Sequence, residues 1–449
     1  MKKHILTLSC LTLSFTAISA DLSEIFKQSE KHDPQLSAAK YTLEASSEGK
    51  KQAFSAFLPQ VTASLGNRRT KGKTVSLLSN QPANYNETST WGINLSQSLY
   101  NHANYQNYRI SELQVLKSTA DYDIAYQDFV LRVAQNYFNV LAAQDTLIFS
   151  KAEEKAIQRQ LDQAEQRFEV GLAAITDVHE ARARFDGARA SVILANNQLQ
   201  DSNEALFEIS QEYYESLTAA PNDLDYNTFQ LNTLDSYQKD GLAKNPELIS
   251  SKVNKDIAEK QIEVSKAGHY PTLSLTFGRN QTYSPNKTEF LFDETDGLQQ
   301  FETGSATTDG NSIALSFNIP IYSGGKTSSQ VRQSAFNHSA SMDRYEQTRR
   351  GTVRKVRNAY NGTLAAISSV QARKQAMVSA QSGLEATEAG YEVGTRTIVD
   401  VLNSQRSLYQ AQRDYSKAKY DYFIQYLGIK RAVGSLSEED INTINSVLK

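Results

Sequence analysis

Phe168-Glu169-Val170-Gly171 recurs 223 residues later as Tyr391-Glu392-Val393-Gly394, an aromatic residue, an acid, a valine and a glycine in the same order. Working outward at that spacing, Val130, Val133, Tyr137 and Leu141 fall on Val353, Val356, Tyr360 and Leu364. Steps of three and four mark one face of a helix, so each half should carry the same buried stripe. Upstream, Asp33-Pro34 answers to Asn245-Pro246 and Leu65-Gly66 to Phe277-Gly278, both 212 apart, and Leu99-Tyr100 to Ile321-Tyr322, 222 apart. The chain is a tandem duplication whose spacing changes at one place. That place lies between Gly66 and Trp91 in the first half, and between Gly278 and Ile313 in the second.

Around these anchors the prolines outline the helices. All eight stand at Pro34, Pro59, Pro82, Pro221, Pro246, Pro271, Pro285 and Pro320, which leaves two long proline-free runs. Proline breaks helix interiors, and both runs are rich in the helix formers Ala, Gln, Glu, Lys, Arg and Leu. The expected long helices span about 104–168 and 327–391. Shorter ones are expected from about Leu22 to Ala56, over 177–215 and over 400–430.

Strands flank the variable place. Val61, Ala63 and Leu65 alternate with polar neighbours, as do Trp91, Ile93 and Leu95, with Leu99 further along the same face. Leu273, Leu275 and Phe277 repeat the pattern, followed by Ile313, Leu315, Phe317, Ile319 and Ile321. The strands are expected at about 59–67, 90–100, 271–279 and 311–322. Alternation over such lengths suits a membrane barrel, polar inside and lipid-facing outside, although a half-buried soluble hairpin alternates too. Polar loops are expected between the strands of each pair. The second is acidic, with Glu289, Asp293, Glu294, Asp296, Glu302 and Asp309, and a loop that gains residues without disturbing its flanks suits exposure outside the cell.

The amino terminus favours the membrane reading. Met1-Lys2-Lys3 is followed by an apolar stretch from Ile5 to about Phe15 and by small residues at Ala17, Ser19 and Ala20. This is the order of an export leader, with cleavage expected after Ala20. Cys10, the only cysteine, lies inside the leader, so the exported chain has no thiol for disulfides, metal sites or nucleophilic chemistry. After the leader no window approaches about 18 consecutive apolar residues, which excludes a membrane-spanning helix. The mean hydropathy of -0.51 is compatible with a barrel, whose strands hide their lipid face in alternation. The net charge of -3 gives no reason to expect a nucleic-acid partner.

These parts imply assembly. Each long helix would extend roughly 100 Å at about 1.5 Å per residue, and one apolar stripe on so long a rod needs neighbouring helices. Four strands cannot close a membrane barrel, because closed barrels start at about eight, and open edges are not tolerated in lipid. The chain must therefore pool strands with copies of itself; strand counting alone does not choose between three and four copies.

The run Leu384-Glu385-Ala386-Thr387-Glu388-Ala389-Gly390-Tyr391-Glu392-Val393-Gly394-Thr395-Arg396-Thr397-Ile398-Val399-Asp400-Val401-Leu402 resembles the TolC family of outer-membrane efflux and secretion channels. So does Val170-Gly171 followed by Ala174-Ile175-Thr176-Asp177-Val178, and the resemblance runs through both halves. It implies an α+β membrane protein in which three chains form a twelve-stranded outer-membrane β-barrel, continued by a twelve-helix periplasmic α-barrel. The repeats would be 21–216 and 237–432, with 217–236 and 433–449 forming an equatorial belt. Expected partners are two further copies, outer-membrane lipid, a periplasmic adaptor protein and an inner-membrane transporter, with no cofactor. The export of small toxic molecules and of proteins is the expected activity.

Carried over by position, the resemblance also implies site residues. Tyr391 would bond Asp177, Arg396 would bond Thr176 and Asp177, and Gln160 would pair with Glu388, together holding the periplasmic entrance shut. Asp400 would form a ring of three carboxylates able to bind a cation. The second acidic position of the family is Asn403 here, so weaker cation block is expected. Gly171 and Gly394 would mark the helix tips where an adaptor docks. Without the resemblance, the charged residues read as a solvated helix face and the glycines as helix stops.

No motif for catalysis emerges. Gly325-Lys326-Thr327 has the tail of a phosphate loop, but the glycine the loop requires falls on Pro320. His4, His32, His102, His179, His269 and His338 lack metal-ligand spacing. Two alternatives compete with the channel. A periplasmic coiled-coil adaptor or rod would need no detergent and form no heat-modifiable trimer. An outer-membrane enzyme using Asp177 and Asp400 as paired acids would lose turnover on mutation of either.

Overall fold

The computed structural model describes residues 19–72, 75–76, 79–80, 84–221, 229, 231–285, 287–293, 297–303 and 305–448. The expected leader through residue 18, Glu294 and Asp296 of the acidic loop, and 222–228 of the expected belt lie outside the described residues. The chain divides into two units. One comprises Met1–Thr42, Thr119–Ser250 and Glu346–Lys449, the other Leu43–Ser118 and Ser251–Tyr345.

Each half opens with a broken helix. α1 (Leu22–His32) and α2 (Pro34–Ser55) replace the single helix expected over 22–56, and α5 (Leu234–Lys244) and α6 (Pro246–Lys266) repeat the break. The cause is the Asp33-Pro34 and Asn245-Pro246 pairs. A residue before proline is pushed out of the helical region, and both take extended backbone, ψ 116 and 119. Each then caps the next helix, Asp33 Oδ1 accepting from the Leu36 N–H at 2.7 Å and Asn245 Oδ1 from the Leu248 N–H at 3.1 Å.

The sheet belongs to the second unit. β1 (Gln60–Gly72), β4 (Asn84–Tyr100), β5 (Thr272–Ser284) and β8 (Ala306–Asn318) pair antiparallel in the order β1-β4-β5-β8. β1, β4 and β5 run beyond the expected ends through polar sequence, because backbone pairing continues after the apolar alternation stops. β8 stops at Asn318, short of the expected 322, where Pro320 lacks the N–H a ladder needs. The expected loops contain short hairpins, β2 (Val75–Ser76) with β3 (Ser79–Asn80), and β6 (Lys287–Asp293) with β7 (Gly297–Thr303). Across the four strands Val61, Leu95, Phe277 and Ile313 share one row and one face. That face is uncovered within the chain, with Leu65 90% and Ile313 76% exposed. The opposite face holds Ser64, Gly92, Asn94, Gly278 and Ser312, small and polar. A Cβ on Gly92 would collide with Asn280 Oδ1.

The long helices are α3 (His102–Glu169) and α7 (Lys326–Glu392), each followed by a shorter antiparallel helix, α4 (Ile175–Ser210) and α8 (Ile398–Val433). α9 (Glu438–Leu448) closes the chain and packs on α1, its Asn445 Oδ1 accepting from the Leu22 N–H at 3.1 Å. The core of the first unit gathers on α3, where Val130, Val133, Tyr137 and Leu141 are buried as the stripe requires, and Phe138 stacks on Phe423 with centroids 5.1 Å apart. The second stripe differs. Val356 is buried, Val353 and Tyr360 are half-buried, and Leu364 is 43% exposed, so α7 leaves apolar surface that its own chain does not cover.

Candidate functional site

The two helix tips of the first unit are built alike. Gly171 (φ 75) and Gly394 (φ 77) take the left-handed conformation that ends α3 and α7. The Leu172 N–H reaches back to the Arg167 carbonyl and the Thr395 N–H to the Gly390 carbonyl, both at 2.8 Å, the six-to-one bond of a Schellman stop. Any side chain with a Cβ is strained at such a φ, which accounts for glycine at both places. Beside them Val170, Leu172 and Val393 are exposed, an apolar cap at the ends of the hairpins.

Of the expected entrance links, the structure forms none inside one chain among the described residues. Tyr391 lies under the Arg167 guanidinium, 4.8 Å from the ring centre, instead of bonding Asp177. Asp177 donates its N–H to the Ala174 carbonyl at 3.0 Å in the first turn of α4, next to exposed Thr176. The stem of Arg396 lies over Gly390, where a Cβ would meet its Cγ at 2.8 Å. Glu388 accepts from Gln405 Nε2 at 3.4 Å rather than from Gln160, whose buried amide oxygen has no partner. Position along the chain does not fix side-chain direction: Asp177, Arg396 and Glu388 turn toward neighbours on their own hairpins, and Tyr391 toward Arg167 of the other.

Asp400 opens α8 as half of a capping box. Its Oδ2 accepts from the Thr397 N–H and from the Thr397 hydroxyl, both at 2.9 Å, while its own N–H donates to Thr397 Oγ1 at 3.3 Å. The bonds from Thr397 hold its carboxyl below the ordinary range, with help from the nearby Arg396 charge. Asn403, one turn on and exposed, accepts from the Arg184 guanidinium of α4 at 3.3 Å. The structure therefore places a cation beside the position where the family resemblance puts a second acid.

A second set of polar contacts joins the two hairpins. Tyr409, Arg413, Ser416 and Tyr420 occur at steps of four, three and four, one face of α8, and all four meet α3. The Tyr409 hydroxyl donates to the Ala152 carbonyl at 3.3 Å, and Arg413 pairs with Glu153 at 2.8 Å. Ser416 and Tyr420 both donate to Asp145, and Arg431 further along pairs with Asp128. Lys419 is buried over the rings of Tyr415 and Tyr420, and burial pushes its ammonium pKa down against the pull of Asp145. Alongside, a groove of about 500 Å³ separates α4 from α8, with Phe138 and Ala142 in its floor and Gln198, Lys417 and Asp421 on its walls. Toward the tips the groove gives way to apolar contact, Ile398 and Leu402 of α8 packing with Ile157, Leu161 and Val178. Sequence reading missed this seam. Its signal was a stripe of hydrogen-bonding side chains running down one face of α8 at helical spacing.

A family profile described as outer membrane efflux protein matches residues 25–210 and 239–435, one segment in each half. Outer membrane protein TolC of Vibrio cholerae is 37% identical over 98% of this chain and 96% of its own length. The alkaline protease secretion protein AprF of Pseudomonas aeruginosa is 26% identical over 97% of this chain and 88% of its own. The solved structure of the Campylobacter jejuni CmeC outer membrane channel shares the fold at 17% identity, with a TM-score of 0.73 over 100% of this chain and 97% of that one. Matched along both repeats and nearly end to end, the chain belongs to the outer membrane efflux protein family.

Proposed function

We propose that three copies of the chain close a twelve-stranded outer-membrane barrel, continued by a twelve-helix periplasmic tunnel, and that the assembly is a passive exit duct for efflux pumps and type I secretion. As a member of its family the chain resides in the outer membrane and serves transport rather than catalysis. One observation carries the assembly: a four-stranded sheet whose β1 and β8 edges are open and whose apolar face is uncovered. In lipid such a sheet is stable only when its edges pair with other copies. The uncovered apolar residues of α7 support the same conclusion for the helical part. A periplasmic adaptor or rod, the rival reading, has no use for an apolar sheet face.

The amino-terminal segment acts as an export leader, and 217–236 with 433–449 make the belt between tunnel and barrel. The exposed Val170, Leu172 and Val393 around Gly171 and Gly394 form the docking surface for a periplasmic adaptor, itself coupled to an inner-membrane transporter. Small toxic compounds are the expected cargo; kinship with a protease secretion protein supports secreted proteins as well. Arg396 with Thr176 and Asp177, Tyr391 with Asp177, and Gln160 with Glu388 remain candidates for links that close on neighbouring copies. Within each copy the α8–α3 seam carries the closure. Planar-bilayer recording of the purified protein, with electrophoresis of unheated samples, tests this. Discrete conductance steps and a slow band that collapses to monomer on heating are expected. A water-soluble monomer without conductance would refute the assembly.

A further inference from the structure

We propose that the outer mouth of the barrel carries a binding site for phosphate-bearing polyanions, built by Arg68 from each of three copies; this rests on the threefold barrel reading. Successive residues of a strand face opposite sides of the sheet. The register of the four strands puts Arg68 on the face opposite Val61, Leu95, Phe277 and Ile313. With that apolar face toward lipid, the face of Arg68 lines the lumen. At the other described lumen-facing positions of β1, β4, β5 and β8, every residue is Ser, Thr, Asn, Gln, Gly or Ala. Arg68 is the one charge among them.

Among the described residues nothing neutralises that charge. Arg68 is exposed and enters no ion pair there. Its neighbours on the same face, Gly66 and Thr70 along β1 and Thr88 opposite on β4, are small and uncharged. On its other side β1 is an edge of the sheet, and the edge that meets it in a ring of copies is β8. The lumen face of β8 passes through Thr308, Gly310 and Ser312. Any register between copies therefore leaves Arg68 without a carboxylate from β8. Arg69, Glu87, Arg279 and Asp309 all stand on the opposite face, where Arg279 pairs with Asp309 at 3.2 Å.

Level and spacing select the ligand. Gln60, Tyr100, Thr272 and Asn318 are the strand ends that lead to helices, so Arg68 lies toward the far mouth. At its level the lipid face has turned polar, with Asn67 donating to Ser89 Oγ at 3.5 Å, which sets Arg68 beyond the apolar band. Twelve strands about 4.8 Å apart, tilted by about 40°, close at a backbone radius of about 12 Å. Arginine side chains reaching inward from that wall bring the axis within the Debye length, about 8 Å at physiological salt. Three guanidiniums then face one another between neutral walls, and a shared anion relieves their repulsion. Each guanidinium fork can hold two oxygens of one phosphate. A ligand with several phosphates engages all three copies at once, which a single phosphate cannot.

Calorimetric titration of inositol hexaphosphate into the detergent-purified protein tests the site. One ligand bound per three chains is expected, with an affinity that falls as salt is added and falls at least tenfold in Arg68→Gln. Arg69→Gln, on the lipid face of the same strand, should bind as the natural protein does. An intact trimer that does not bind, equal binding by Arg68→Gln, a matching loss in Arg69→Gln, or one ligand per chain would overturn the proposal and leave the barrel reading intact. A preparation that runs as monomer on unheated gels would overturn both. In bilayers the natural channel should be blocked by the hexaphosphate added at the outer side. Block from the periplasmic side alone would put the bound anion elsewhere and sink the site.

Discussion

Replacing Glu153 by glutamine tests whether the α8–α3 seam holds the entrance shut. The carboxylate pairs with Arg413 at 2.8 Å, and the two side chains are 11% and 26% exposed. Such a pair lies between the surface class, worth about 0–1 kcal/mol, and the buried class, where losing one partner costs about 3–5 kcal/mol. About 2 kcal/mol is therefore expected for Glu153→Gln, which keeps the shape and removes the charge. If α8 leaves α3 on opening, Arg413 is rehydrated in the open state and stays under-partnered in the closed one. The whole penalty then falls on the closed state. At about 1.4 kcal/mol per tenfold, the closed-to-open ratio should fall about thirtyfold per copy. In bilayers this appears as longer and larger openings without an adaptor, and in cells as sensitivity to a bulky antibiotic that the outer membrane normally excludes. The control is Glu165→Gln, which removes an exposed pair with Arg182 inside one hairpin, 38% and 61% exposed, and should change neither readout. The swap Glu153→Arg with Arg413→Glu should restore most of the closure. A variant that is less stable yet gates normally would show that the pair serves the fold alone, and the latch argument would fail.

Four further outcomes follow from the same geometry. Gly434→Ala should destabilise by more than about 3 kcal/mol, because a Cβ at φ 86 would lie 2.6 Å from Asn245 Cα and 2.7 Å from the Lys244 carbonyl; a thermal midpoint within error of the natural protein would contradict this. Val170→Glu combined with Val393→Glu should leave stability within about 0.5 kcal/mol and bilayer conductance unchanged but abolish drug export by cells, while retained export would remove the tips as the docking surface. Trivalent cations should block the natural channel weakly, since Arg184 stands beside Asn403, and Asn403→Asp should tighten block at least tenfold in single-channel titrations; equal block in both would refute the role of that position. Asp400 has its carboxyl pKa lowered by Thr397, so its capping contribution is complete above the ordinary carboxylate value and is lost as pH falls through the lowered one. Hydrogen-exchange protection of the α8 first turn should drop across that acid range and be flat with pH in Asp400→Asn.

The duplicated stretch at Phe168 and Tyr391, the proline-free runs and the period-two strands were enough to set two repeats, four principal strands and the helices α3, α4, α7 and α8. Those features are local, since periodicity and proline act within a few residues. The breaks at Asp33 and Asn245 were equally local, and the Asp33-Pro34 and Asn245-Pro246 pairs carried the signal for them. The hairpin β6–β7 was harder to read, because Phe290-Leu291-Phe292 runs apolar without alternation inside an acidic stretch and the pairing rests on backbone bonds.

The sequence by itself determined the architecture of each repeat, the glycine stops at both tips and, through the quoted motifs, the family. Tertiary structure alone decided which polar groups meet. Arg413 found Glu153, Arg184 found Asn403 and Ala20 found the 216–218 segment across separations of 260, 219 and about 200 residues. Helical period fixes the face on which a side chain stands, but the partner on that face is chosen by how whole helices pack. That choice is a sum over the entire core and is written at no single position.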